Sequence, residues 1–160
     1  MRLHPSLRVS MTLEQLILSA ATALGNPGFQ YTRDKTCDMV LANGLQIVIE
    51  PSRTEEAVHI YAVVGNLPAF DRENVAESLL RAQLFHREMG EGCCFGLDDD
   101  TDELLLNRKL TTQNLDEAGF LAVLNEFANW ATYWRDKLQS PPVAAPASTS
   151  PVGDFGMLRA

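Results

Sequence analysis

The stretch that decides the fold runs from Cys93 to Lys109 and reads CCFGLDDDTDELLLNRK. Two short apolar runs, Cys93–Leu97 and Leu104–Leu106, flank a six-residue acidic link, Asp98–Glu103. Apolar runs of strand length around a short polar connection are typical of a β-hairpin. The sequence therefore predicts two antiparallel strands joined by a highly charged turn.

Outward from this hairpin, the chain supplies three amphipathic helices and three more strands. Apolar residues at helical spacing predict helices that follow Thr12, Asp71 and Asp116, each a suitable N-cap. The pair Asn43-Gly44 between apolar runs predicts a tight hairpin turn in which both residues take positive φ. The predicted bounds are Cys37–Ala42, Leu45–Glu50 and Val58–Val64 for the strands, and Glu73–Met89 and Asp116–Leu138 for the last two helices. The order α-β-β-β-α-β-β-α predicts an α+β domain, a twisted antiparallel sheet covered by helices.

Composition divides the chain into one folded domain with two extensions. We predict a flexible lead-in at residues 1–10, a folded domain at 11–138 and a disordered tail rich in Pro, Ala and Ser at 139–160. Residues 11–138 hold 10 Lys and Arg against 20 Asp and Glu, a net charge near −10. So acidic a domain is a poor partner for nucleic acid, whose phosphates require a basic surface. No apolar run approaches the roughly 18 residues that a membrane span needs, so no membrane insertion is predicted.

The cysteines and the acidic turn are the candidate sites of chemistry in this sequence. Cys93 and Cys94 with His86 form a candidate nucleophile, but nothing fixes a base within hydrogen-bond reach, and buried strand thiols are the simpler interpretation. A metal site that also uses Cys37 lacks the ligand spacing of structural zinc. The acidic turn lacks the glycine and the final glutamate of a calcium loop. The sequence therefore predicts no catalytic residue, no metal and no cofactor, and three free thiols in a reducing cytosol.

The second helix carries more apolar surface than one buried face requires. Its apolar set is Val75, Ala76, Leu79, Leu80, Ala82, Leu84 and Phe85. The excess predicts burial on two sides, one against its own sheet and one against another molecule. The run Leu104–Leu106 is likewise apolar on both faces of its strand, which indicates either a thick core or an exposed binding patch.

The whole pattern resembles the class I type III secretion chaperones, small acidic dimers that hold effector proteins ready for export from Gram-negative bacteria. The resemblance covers residues 11–138 and rests on element order and on five segments. These are Cys37-Asp38 with LQIVIE at 45–50, IYAVVGNLP at 60–68, LLRAQLF at 79–85, GLD at 96–98 with ELLL at 103–106, and the aromatic last helix from Phe120 to Trp134. The segment after Ser140, with Phe155 and Met157-Leu158 near its end, is not covered by the resemblance.

The resemblance implies a cytoplasmic bacterial homodimer that needs no ATP. It implies a dimer interface on the second helix, for which we expect Val75, Leu79, Leu80, Leu84 and Phe85. It also implies that the N-terminal region of an effector wraps around the dimer, adds a strand to a sheet edge and lays apolar pieces into grooves. For this client surface we expect Leu13, Leu16, Ile17, Met39 and Leu41.

The leading hypothesis is thus a non-enzymatic secretion chaperone. One alternative is a regulatory interaction module of the secretion system with the same fold, which the sequence does not separate from a chaperone. A less favoured alternative is a small enzyme that uses Cys93 or Cys94 with His86.

Overall fold

The computed structural model describes residues 11–25, 36–53 and 56–140. Its elements follow the predicted order α-β-β-β-α-β-β-α, with a short 3₁₀ turn after the second helix. They are α1 (Leu13–Ala23), β1 (Cys37–Val40), β2 (Gln46–Pro51), β3 (Ala57–Asn66), α2 (Arg72–Gln83), the 3₁₀ turn (Leu84–His86), β4 (Cys93–Leu97), β5 (Glu103–Thr111) and α3 (Glu117–Gln139). Residue 139 belongs to α3 rather than to the tail. The predicted lead-in and residues 141–160 of the tail lie outside the described residues.

The five strands form one antiparallel sheet in the order β1-β2-β3-β5-β4. The long strands β3 and β5 pair along their whole length at its centre, with a bulge between Val63 and Gly65. The hairpin predicted from Cys93–Leu106 is confirmed, although β5 continues to Thr111. Because β3 and β5 are neighbours, the two hairpins β1-β2 and β4-β5 lie on opposite sides of the sheet's centre, with β1 and β4 at its edges.

The first hairpin turn differs in detail from the prediction. Of its two expected left-handed residues, only Gly44 has a positive φ, 78°. The Gly44 N–H donates to the Leu41 carbonyl at 2.8 Å, and the Leu45 N–H donates to the Asn43 side chain at 3.0 Å. Asn43 therefore acts through its side chain, and glycine alone supplies the left-handed position of a three-residue turn.

The core lies between one face of the sheet and the helices. Helix α3 runs over β3 and also contacts α1. Alternate strand residues are buried against these helices, together with the aromatic stripe predicted on α3, including Phe120, Phe127 and Trp134. The Trp134 ring also donates its Nε1–H to the Glu88 carbonyl at 2.8 Å, so the largest core side chain leaves no unsatisfied polar group.

Two predicted N-caps are confirmed and one is wrong. Thr12 forms a capping box with Gln15, and the Asp116 carboxylate accepts the Gly119 N–H at 2.8 Å. Asp71 occupies the N-cap position of α2 but makes no capping hydrogen bond. Its φ of 67° is left-handed, and its carboxylate accepts from the Asn74 side chain instead.

Helix α2 is also shorter than predicted, since it ends at Gln83 and not at Met89. Phe85 and His86 both adopt left-handed backbone conformations, with φ of 56° and 52°. Two such residues in succession break a right-handed helix. Neither residue is the glycine or proline that signals a helix end, so the sequence pattern did not reveal the break.

Candidate interaction surfaces

Three large apolar side chains are exposed to solvent at the end of α2 and on the 3₁₀ turn that follows it: Leu80 on the helix, and Leu84 and Phe85 on the turn. We call these three residues the apolar ridge. Their exposed fractions are 68%, 50% and 80%. Leu79 and Ala82 lie on the opposite side of the helix and are buried in the core. The apolar excess predicted for this helix is therefore real, and one of its two sides has no cover within the described part of the protomer.

Local structure holds the ridge in place at some cost. A left-handed backbone at a bulky residue such as Phe85 is strained, which requires the surroundings to fix it. The Glu88 N–H donates to the Ala82 carbonyl at 3.2 Å across the turn. The Arg87 guanidinium lies 5.9 Å from the centre of the Phe85 ring, within cation–π range. The strained turn directs an aromatic side chain into solvent.

The five residues expected at the dimer interface thus separate into two groups. Leu80, Leu84 and Phe85 are exposed and available to a partner. Val75 is half-buried against the core, and Leu79 is buried in it. The assignment of Leu79 to an interface is corrected, because its side chain is already enclosed by its own protomer.

Most of the expected client-binding residues are also in the core. Leu16, Ile17 and Met39 are buried, with 2% or less of each side chain exposed. All three belong to the buried core cluster and offer almost no surface to a partner, so their assignment is corrected. Leu13 and Leu41 are half-buried at the margin of the core and remain accessible. The amphipathic pattern of α1 predicts which residues are buried, but it does not predict which exposed residues contact a partner.

An open depression lies beside the start of α1. It measures about 400 Å³ and is lined by Met11, Leu13, Leu16, Glu56, Thr112, Gln113 and Asn114. Its wall combines apolar side chains of α1 with polar side chains of the loop after β5. Leu13 and Leu16 are the expected client residues that line this depression; Leu13 is half-buried, whereas Leu16 is only 2% exposed.

The outer side of the edge strand β4 is partly occupied by the chain itself. On the outer side of β4, the Phe95 N–H donates to the Gln83 side-chain oxygen at 2.8 Å. The Cys93 N–H donates to the Gly90 carbonyl at 3.1 Å. The chain itself therefore occupies two backbone donors that an added strand on β4 would need. A strand added to β4 would have to displace these two contacts.

The sheet face turned away from the helices is partly apolar. Leu104 and Leu106 point into the core, whereas Leu105 is half-buried on the other face, opposite Val63 in register. Val63 and Val40 are exposed there. The triple-leucine run predicted an apolar patch, and the structure places its single outward leucine on this face.

The cysteines do not have the properties of an activated nucleophile. Burial raises the pKa of the Cys93 thiol to about 11, and the nearby Arg108 only partly opposes this. Burial likewise raises the pKa of Cys37 to about 11. The Cys94 thiol donates to the Asn107 side-chain oxygen at 3.0 Å, while His86 is exposed on the turn after α2. A catalytic cysteine needs a lowered pKa, so burial opposes a nucleophilic role for Cys37 and Cys93.

Comparison with known families settles the relationship. The sequence profile of the Tir chaperone protein (CesT) family matches residues 15–135, most of the described domain. The chain belongs to the Tir chaperone (CesT) family. This confirms the resemblance to the secretion chaperones. No curated protein sequence matches the chain. Among the described residues, no helix of this CesT-family chain is long and apolar enough to cross a membrane.

Solved structures share the fold at low sequence identity. A chain of the ExsC-ExsE complex matches with a TM-score of 0.64 and 18% identity over 86% of this chain and 98% of that one. The structure of the Yersinia pestis type III secretion chaperone SycH in complex with a fragment of YscM2 matches with a TM-score of 0.58 and 20% identity, over 77% of this chain and 99% of that one. A chain of the Pseudomonas aeruginosa ExoU-SpcU complex of the type III secretion system matches with a TM-score of 0.53 and 20% identity, over 73% of this chain and 92% of that one. The predicted α+β architecture is that of these chaperone complexes.

Proposed function

We propose that this chain is a homodimeric type III secretion chaperone that binds the N-terminal segment of an effector in the bacterial cytoplasm and keeps it soluble and competent for export. Membership of the CesT family supports the class of function. The observation that carries the proposal for this chain is the apolar ridge Leu80, Leu84 and Phe85. A protein that works as a monomer gains nothing from three exposed large apolar side chains beside one another.

The ridge is the part of the surface that a second copy covers. Two ridges related by a two-fold axis bury the same side chains on each other, which makes an isologous interface. A few well-packed side chains near the centre of such a patch supply most of its binding energy. The helix that carries the ridge is also tied to β4 through Gln83, so the interface stands on a rigid support.

The client segment has a different place on the protomer. We assign its added strand to β1, because the chain itself already occupies backbone donors on the outer side of β4. Leu41 immediately follows β1, and Leu13 lies in the depression beside α1. Of the five residues expected at the client surface, Leu13 and Leu41 are the two that we still expect to contact the client. An extended client strand here is recognised through its backbone, and the apolar contacts add side-chain preference.

The charge of the chain fits this role. A net charge of −8 keeps a protein with exposed apolar surfaces soluble. The acidic turn at Asp98–Glu103 prevents sheet-to-sheet association beside the apolar strand that follows it. A client that is unfolded in its bound region meets a surface that is apolar in its grooves and acidic elsewhere.

The first test is the solution mass by light scattering. The wild-type chain is expected near twice 17.7 kDa. Leu80→Asp is expected at the mass of one chain, because a carboxylate inside an apolar interface has no partner. Leu18→Asp is the matched control, since Leu18 is an exposed leucine on α1, away from the ridge; this variant should remain dimeric.

The second test adds N-terminal fragments of candidate effectors encoded near the gene. Uptake of a fragment by the wild-type dimer supports the chaperone. A wild-type monomer that binds no fragment contradicts the proposal. If the chain co-purifies with a regulator and with no effector, the result supports the alternative function, a regulatory interaction module with the same fold.

A further inference from the structure

A second apolar groove lies on the other side of α2 from the ridge, between the start of α2 and the end of α3. It measures about 470 Å³. It is lined by Pro68, Phe70, Asp71, Asn74, Val75 and Ser78 on one side, and by Leu79, Trp134, Lys137, Leu138 and Ser140 on the other. This groove is not used by the dimer or the client surface proposed above.

Phe70 is the unusual residue of the groove. The sequence suggests that it packs on Val75 at the start of α2, as a hydrophobic staple does. Instead Phe70 is 90% exposed, and the left-handed Asp71 next to it makes no capping bond. The phenyl ring therefore lines the groove while most of its surface remains exposed to solvent.

The occupant that the chain itself offers is the segment after Ser140. Ser140 lines the groove, so residues 141–160 begin at its rim. Their apolar residues of large size are concentrated at Phe155, Met157 and Leu158, beyond a stretch that contains four prolines. At the roughly 3.1 Å per residue of a proline-rich extended chain, the 15 residues from Ser140 to Phe155 span on the order of 45 Å, ample for a return to the groove.

Charge is compatible with the same occupant. The groove carries one anion and one cation, Asp71 and Lys137. The segment likewise carries one of each, Asp154 and Arg159, on either side of its apolar residues. Neither partner therefore brings an unmatched charge to the contact.

We infer that Phe155, Met157 and Leu158 bind in the groove between α2 and α3 of their own chain. The segment covers the exposed phenyl ring of Phe70 and the apolar floor formed by Val75 and Leu138. Because the tether holds the segment at an effective concentration of roughly millimolar, a contact of modest intrinsic affinity is enough to occupy the groove. The inference does not depend on the dimer or on a client.

The test uses the full chain and a fluorescein-labelled peptide with the sequence of residues 151–160. In a full-chain variant with Phe155→Ser, Met157→Ser and Leu158→Ser, the groove is open and the peptide should bind, as measured by fluorescence anisotropy. Wild-type protein should bind the peptide about tenfold more weakly if the intrinsic dissociation constant is about 0.1 mM, because its own segment competes.

Two exposed phenylalanines provide the matched controls: Phe70 lies just before the start of α2, and Phe85 lies just after its end. In the triple-serine background, Phe70→Ser should abolish peptide binding and Phe85→Ser should leave it unchanged. Both side chains are largely exposed, so neither substitution removes core packing. Equal peptide affinity for wild type and the triple variant overturns the inference, as does sensitivity to Phe85 and not to Phe70. If the single variant Phe70→Ser has a lower solution mass than the wild type, the groove binds a second copy of the chain, and this result also overturns the inference.

Discussion

At the scale of single residues, Gly90 is the point where one added atom has the largest predicted effect. A Cβ at Gly90 would lie 2.9 Å from Cδ1 of Trp130, closer than real Cβ contacts allow. We expect Gly90→Ala to lower the free energy of unfolding by about 1 to 3 kcal/mol through overpacking. Gly65→Ala is the control, because its Cβ meets Leu138 at an ordinary 3.5 Å. Urea unfolding of both variants tests this prediction. Equal unfolding midpoints would show that the Trp130 ring shifts to accommodate the added Cβ at no cost in stability.

The buried thiols predict a loss of stability at alkaline pH. The pKa values of Cys37 and Cys93 are raised from 9.0 to about 11, chiefly by burial. The folded state therefore favours the neutral thiols. Their stabilising contribution is complete below pH 9 and is lost as the pH rises through about 11. Each thiol contributes roughly 2 to 3 kcal/mol by this linkage.

The check is thermal unfolding of wild type and of the Cys37→Ala, Cys93→Ala double variant from pH 8 to pH 11. The melting temperature of the wild type should fall more steeply than that of the variant. The pKa of Tyr61 is also raised by burial, so a residual slope is expected in both proteins. Parallel curves would exclude the thiols as the cause.

At the scale of elements, the two aspartates before α2 and α3 have different roles despite similar sequence contexts. Asp116→Ala should cost about 1 kcal/mol, since it removes the bond to the Gly119 N–H. Asp71→Gly should be neutral or stabilising, because no capping bond is lost and glycine accepts the φ of 67° without strain. Chemical denaturation measures both. A cost for Asp71→Gly as large as that for Asp116→Ala would show that Asp71 caps its helix in solution.

Element existence and order were predictable here, and element ends were less so. The alternation in β3 and the aromatic stripe on α3 follow directly from periods of 2 and 3.6 residues, and both were confirmed. The end of α2 was missed because Phe85 and His86 take left-handed conformations that their residue types do not favour. The turn is fixed by long-range contacts such as that between Gln83 and Phe95, which no local pattern contains.

At the scale of the whole molecule, the sheet edges predict where a client adds its strand. In hydrogen-exchange experiments with a bound effector fragment, amides of β1 should gain protection and those of β4 should not. Gln83→Ala is the informative variant, since it frees the Phe95 N–H and should speed exchange there without a fragment. Protection of β4 and not β1 by the fragment would contradict the assignment.

The sequence by itself determined the α+β class, the order of elements, the acidic charge and the apolar excess of α2, because these follow from local periodicity and composition. Only the tertiary structure decided which apolar residues are surface. Leu79 and Leu80 are adjacent and chemically identical, yet one is buried and the other is 68% exposed. Likewise, the sequence made Leu16 and Met39 plausible contacts for a client, whereas the structure buries both in the core. The physical reason is that burial depends on what lies opposite each side chain, and that neighbour is distant in sequence.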